Sequence, residues 1–111
     1  MTGASKGIGA ATARLLSAQG QHVLIHYAHD KAAAQAVALD CQNLGAASIH
    51  LAQADLAIEA DVLRLFAYAD QHLPPLTGLV NNAGIVDMTA RLDQMSAERI
   101  SRMMAVNVLG P

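Results

Sequence analysis

The chain has 111 residues, enough for one small domain around a single core. Apolar residues make up 53% and charged residues 14%, which excludes a disordered chain. The net charge is −2 with no basic block, which argues against nucleic acid as the main partner, and aromatics at 3% suit alanine-rich helices packed closely on a sheet.

Residues 1–9 read as a glycine-rich turn. A helix is expected from Ile8 to Gln19, with Ile8, Ala11, Thr12 and Leu15 on one face and Gly20 as its stop. His22–Tyr27 is a short β-rich strand. A second helix covers Lys31 to Leu44, with Ala33, Val37, Cys41 and Leu44 on its apolar face and Gly45 ending it. Ser48–Gln53 is a second strand. A third helix runs from Ile58 to His72, where Val62, Leu65, Phe66 and Ala69 follow helical spacing until Pro74-Pro75. Leu76–Val80 reads as a strand entering Asn81-Asn82-Ala83-Gly84, and a last helix starts at the N-cap Ser96 and reaches at least Asn107.

This alternation predicts an α/β fold, a Rossmann-type doubly wound parallel sheet. A glycine turn of this kind normally follows a strand, yet only Met1 precedes Thr2, and the chain stops at Gly110-Pro111 straight after a helix. The sheet is therefore expected to be incomplete, a fragment with its first strand and C-terminal half missing. Such a chain is expected to be marginally stable or aggregation-prone, because two inner strand edges lose their partner. No run approaches the ~18 apolar residues of a membrane span and no apolar leader is seen, so the reading is a soluble cytoplasmic protein. Cys41 has no partner for an internal disulfide and is read as structural, in a reducing compartment. No metal site is read.

Gly3, Gly7 and Gly9 open a helix, where free N–H groups and the positive end of the dipole favour an anionic phosphate. Their spacing is G-x-x-x-G-x-G, neither a P-loop nor the commonest dinucleotide fingerprint. Taken alone, it could be an ordinary glycine-rich loop. Asp55 could be a helix N-cap, and Asn81–Gly84 a plain turn. Asn107 falls seven residues after Ile100, on the apolar face of its helix, where a buried amide must find a partner.

Thr2-Gly3-Ala4-Ser5-Lys6-Gly7-Ile8-Gly9, Asp55-Leu56, Asn81-Asn82-Ala83-Gly84 and Asn107, in this order, resemble the motifs of the short-chain dehydrogenase/reductase family. The likeness covers essentially the whole chain and is strongest to bacterial sugar-dehydrogenase-like or 3-oxoacyl-reductase-like members. It implies an NAD(P)-dependent oxidoreductase acting on a small alcohol or ketone. The backbone from Ser5 to Ile8 would cradle pyrophosphate and ribose. Asp55 would accept from the adenine amino group, with Leu56 giving backbone contact. Asn82, Ala83 and Gly84 would line the cofactor ribose, and Asn81 would tie neighbouring strands. Asn107 would belong to the catalytic tetrad, holding a water in a proton relay.

By the same resemblance, the usual acidic position at the end of the second strand falls on Tyr27, which cannot repel a 2′-phosphate. Lys6 supplies a base in the turn, so NADP(H) is expected over NAD(H), although Asp30 nearby weakens the case. His26 and His29 flank Tyr27 and are read as solvated or as helping the phosphate. The family's serine and its Y-x-x-x-K pair are not found; Tyr27 and Lys31 match only formally, on the adenosine side. The chain alone is therefore expected to be inactive. Alternatives are an inactive nucleotide-binding module or a non-functional remnant. Ile85 to Gln94 would border the substrate, and the full-length form would be a homo-oligomer.

Overall fold

The computed structural model describes residues 1–111. Its elements are α1 (Gly7–Ala18), β1 (His22–Tyr27), α2 (Lys31–Asn43), β2 (Ser48–Gln53), α3 (Glu59–His72) and α4 (Ala97–Met104). A 3₁₀ turn at Leu92–Gln94 precedes α4, and a π-turn at Ala105–Leu109 prolongs it. β1 and β2 pair in parallel, from His22 opposite Ser48 to Tyr27 opposite Gln53. Parallel neighbours need a crossover, and α2 supplies it.

Side chains alternate across a strand. Val23, Ile25 and Tyr27 therefore share one face, where they pack with Ala10 and Ala13 of α1 and Ala34, Val37 and Cys41 of α2. The opposite face carries a smaller cluster of Ala54, Leu56 and Leu65, with Leu24, Ala52, Val62 and Ala83 against it. Helices thus cover both faces of a parallel sheet, as the alternation of elements implied.

β1, β2 and the ends of α1, α2 and α3 fall close to their expected places, but the helix faces do not. α1 buries Gly9, Ala10, Ala13 and Ser17, while Ile8 and Leu15 stand 80% and 67% exposed. The side chains seated on the sheet are small, so close approach rather than hydropathy selects the face. α2 buries Ala34, Val37 and Cys41 but leaves Leu44 exposed. α3 buries Leu65 and Ala69 and leaves Phe66 exposed.

The strand expected over Leu76–Val80 does not form. A ladder needs a neighbour along its whole length, and only Thr2 stands beside this segment, its amide donating to the Val80 carbonyl at 3.0 Å. The Met1 carbonyl and the Ala4 amide bond to His26 on the other side, so Met1–Ala4 bridges β1 and Val80. Beyond that bridge lies an apolar slot lined by Leu16, Val23, Leu24, Leu76 and Leu79.

α4 begins as expected: the Ser96 hydroxyl accepts from the Arg99 amide. Glu98 in its first turn and Arg102 in its last complement the helix dipole. No helix is long and apolar enough to cross a membrane.

Candidate nucleotide site

The turn before α1 is shaped by backbone constraints. Gly3 has φ +60, and a Cβ there would lie 2.8 Å from the Ala83 Cα. Gly9 is tighter still, since a Cβ would meet the Gly3 carbonyl oxygen and the Asn82 Nδ2, each at 2.5 Å. Any side chain at either position would push the turn away from the Asn82–Ala83 loop.

The start of α1 is left open to a ligand. Lys6 occupies the N-cap in extended conformation with no side-chain cap. The amides of Lys6, Gly7, Ile8 and Gly9 donate to nothing within the chain. As at any α-helix start, such donors and the positive dipole end can receive an anion.

Two polar side chains lock this cradle in place. The buried Thr2 hydroxyl donates to the Val80 carbonyl and accepts from the Asn82 and Ala83 amides, both at 3.0 Å. The Asn82 Nδ2 donates to the carbonyls of Thr2 (2.9 Å) and Gly3 (3.1 Å). Asn82, not Asn81, is therefore the residue that ties the segments together, and Asn81 is exposed.

His26 has a positioning role that its place in the sequence did not show. It is 3% exposed, not a solvated loop residue. Its Nδ1 accepts from the Gly3 amide at 3.1 Å, and its Nε2 lies 3.0 Å from the Ala54 carbonyl. A carbonyl only accepts, so Nε2 carries the proton and the ring is neutral. Burial pushes its pKa below the ordinary value, against the Ala54 bond, which favours the proton. One imidazole thus joins the glycine turn to the loop that carries Asp55. The available signal was a polar ring inside an apolar strand, which must find partners when buried.

Asp55 follows β2. It does not cap α3, whose N-cap is Ile58. Its Oδ1 accepts from the Ala57 amide at 3.0 Å, and its Oδ2 lies 3.0 Å from Arg102 Nη1 on α4. Its own amide donates to Asp61 Oδ2 at 2.9 Å, and Asp61 is paired with Arg64 at 2.7 Å. Partial burial opposes ionisation of Asp55, but the Ala57 amide and Arg102 outweigh it and hold the carboxyl below the usual carboxylate range. Leu56 is buried, and Gly110 packs so close that a Cβ there would lie 2.5 Å from the Leu56 carbonyl oxygen.

Asn107 is exposed, because the π-turn rotates it off the apolar face. Its Oδ1 accepts from the Ile85 amide at 2.8 Å and its Nδ2 donates to the Ile85 carbonyl at 2.9 Å. That bidentate clamp fixes the chain next to Gly84. Arg99 holds the following residues, pairing with Asp87 at 2.8 Å and donating to the Met88 carbonyl.

Tyr27 departs from its expected cofactor-facing role. Strand alternation puts it beside Val23 and Ile25 in the core, 8% exposed. Asp30 caps α2, its Oδ1 accepting from the Ala33 amide at 2.9 Å. Ser5, Lys6, Gly7 and Ile8 form the open rim of the turn, Gly9 is buried behind it, and Asn82 and Ala83 pack against it, with Gly84 following beside Asn107.

A glycine-rich turn opening the first helix of a parallel α/β sheet is the arrangement found in dinucleotide-binding folds. The family profile for short chain dehydrogenase matches residues 1–111, and the chain belongs to that family. An uncharacterised oxidoreductase of Escherichia coli, YgfF, is 42% identical over 99% of this chain and 44% of its own length. Versicolorin reductase 1 of Aspergillus parasiticus is 34% identical over 99% of this chain and 41% of its own. Among solved structures, a mutant of a Serratia marcescens short-chain dehydrogenase/reductase superposes with a TM-score of 0.91 at 33% identity, covering 98% of this chain and 44% of that one. A blue fluorescent protein from a metagenomic library, in complex with NADPH, superposes at 0.90 with 35% identity over 99% of this chain and 44% of its own. The chain spans less than half the length of these relatives.

Proposed function

We propose that residues 1–111 form the nucleotide-binding part of an NADP(H)-dependent oxidoreductase, one that moves a hydride between the nicotinamide and an alcohol or ketone. The observation that carries this reading is the row of unpartnered amides from Lys6 to Gly9 at the start of α1. The bound dinucleotide supplies the hydride chemistry; the residues here bind and orient it. The Ser5–Ile8 backbone receives the pyrophosphate. Asp55 accepts from the adenine amino group beside the Leu56 backbone. Asn82, Ala83 and Gly84 line the ribose. Asn107 keeps one N–H and one lone pair free beyond its bonds to Ile85, enough to hold a water.

Three observations favour the 2′-phosphate. The end of β1 offers Tyr27 instead of an acid. Lys6 is exposed at the turn, and the Asp30 carboxylate is turned to the Ala33 amide. The protein is read as a cytoplasmic homo-oligomer. A second reading, a module that holds nucleotide without chemistry, is favoured for the 111 residues alone. Tyr27 is packed in the core and Tyr68 stacks on His72, their ring centroids 4.0 Å apart, so neither serves as the acid.

Titration with NADPH and NADH, followed by NADPH oxidation against a panel of small ketones, tests both readings on the protein as its gene encodes it. The expected result is tighter NADPH binding and turnover. Tighter NADH binding overturns the cofactor choice. Turnover by residues 1–111 alone overturns the second reading.

A further inference from the structure

We propose that Arg102 positions the Asp55 carboxylate for the adenine amino group, which makes α4 an arm of the nucleotide site. The inference rests on the adenine contact proposed above and adds the group that aims it.

Asp55 lies between β2 and α3, outside any regular element that could fix its side chain. The Ala57 amide fixes one carboxylate oxygen. Nothing on its own loop holds the other, and Arg102 reaches it from the last turn of α4. The loop backbone is pinned separately by Asp61, which Arg64 neutralises. Arg102 is therefore not needed to place the backbone; what it adds is the direction of Oδ2. Each carboxylate oxygen accepts two hydrogen bonds, and each has one in use, so both retain a lone pair for a ligand. The Asp55 side chain is 22% exposed and so remains reachable.

The pairing also has an electrostatic consequence. A dinucleotide phosphate is negative, and a bare carboxylate near its path would repel it. Arg102 cancels that charge locally while leaving the acceptor in place. A tie that served only to hold α4 against the loop would have no need for a carboxylate facing the site; it would affect every nucleotide alike.

This difference sets the test. Dissociation constants are measured for NADPH and for its hypoxanthine analogue, which presents a carbonyl in place of the adenine amino group. The proteins are wild type, Asp55→Ala, Arg102→Ala and Arg102→Lys, each as the gene encodes it and each checked by circular dichroism. Wild type should prefer the adenine form by about tenfold or more, the scale of a hydrogen bond to a charged acceptor. Asp55→Ala should bring the ratio near unity. Arg102→Ala should shrink it about three- to fivefold, the scale of a half-exposed ion pair, and Arg102→Lys should restore part of it. If Arg102→Ala fails to fold, Arg102→Gln and Arg102→Lys supply the ratio. A wild-type ratio in the Arg102 variants, alongside a collapsed ratio in Asp55→Ala, overturns the role of Arg102 alone. A wild-type ratio in Asp55→Ala overturns the adenine contact itself, and the positioning role with it.

Discussion

Residues 1–72 and residues 73–111 are held by different physics. All but one of the 18 buried residues lie before Leu73, and the exception is Val106. The first region is a packed α/β stack in which Ile25, Cys41, Ala13 and Ala34 are fully enclosed. The second has almost no core and is fastened by polar contacts: Asn82 on Thr2 and Gly3, Asn107 on Ile85, Arg99 on Asp87 and Arg102 on Asp55. Val86, Met88, Leu92 and Leu109 stand 77% exposed or more within it. The packed region supplies a rigid rim of amides, and the fastened region supplies the loops that face it.

The contrast predicts a graded response to substitution. Ile25→Ala removes a fully enclosed side chain between β1 and the two helices, and should cost about 2–5 kcal/mol in urea unfolding. Leu109→Ala, in the exposed region, should cost within about 0.5 kcal/mol, despite equal chemistry. Equal costs would erase the distinction between the regions.

His26 ties two loops within the packed region, at Gly3 and Ala54, and should respond to pH. Its ring is neutral when folded, with a pKa below the ordinary value of 6.5. As pH falls through about 6.5, the unfolded chain takes up the proton first. Stability is therefore full above about pH 7, declines below 6.5, and levels once pH passes the lower folded value. Urea midpoints between pH 7.5 and 5 should fall in wild type, and the His26 share of that fall should vanish in His26→Ala. His26→Ala should itself cost about 1–3 kcal/mol at pH 7.5, because it strips the Gly3 amide and the Ala54 carbonyl of their partner.

A smaller effect than that of His26 belongs to the exposed clamp. Asn107→Ala should cost about 0.5–1.5 kcal/mol and speed hydrogen exchange at the Ile85 amide, leaving the Ile25 amide protected. Unchanged exchange at Ile85 would remove the clamp from the account.

Much of the architecture was legible from local signals. β1 and β2 sit where β-rich runs end at glycines or turns, and Ser96 caps α4 as its side chain allows. What was not legible depends on partners distant in sequence. Leu76–Val80 has a strand's composition, yet pairing is a property of neighbours, and only Thr2 is there. Apolar spacing in α1 pointed to Ile8 and Leu15, while the sheet accepted the small residues Gly9, Ala10 and Ala13. The glycine turn and the Asn82–Gly84 loop were visible as motifs, but the Thr2 hydroxyl that joins them, and the His26 ring that ties the turn to Ala54, appear only when distant segments meet. Tyr27 was assigned by position along β1, and strand parity sent it inward.

The central claim is that the Lys6–Gly9 amides receive the dinucleotide phosphates. It is tested most directly by amide nitrogen–proton NMR of the ¹⁵N-labelled protein titrated with NADPH. The account predicts that the largest shifts fall on Gly7, Ile8 and Gly9, with smaller ones at Asp55 and Gly84. Saturable binding that leaves Gly7 to Gly9 unmoved would contradict it.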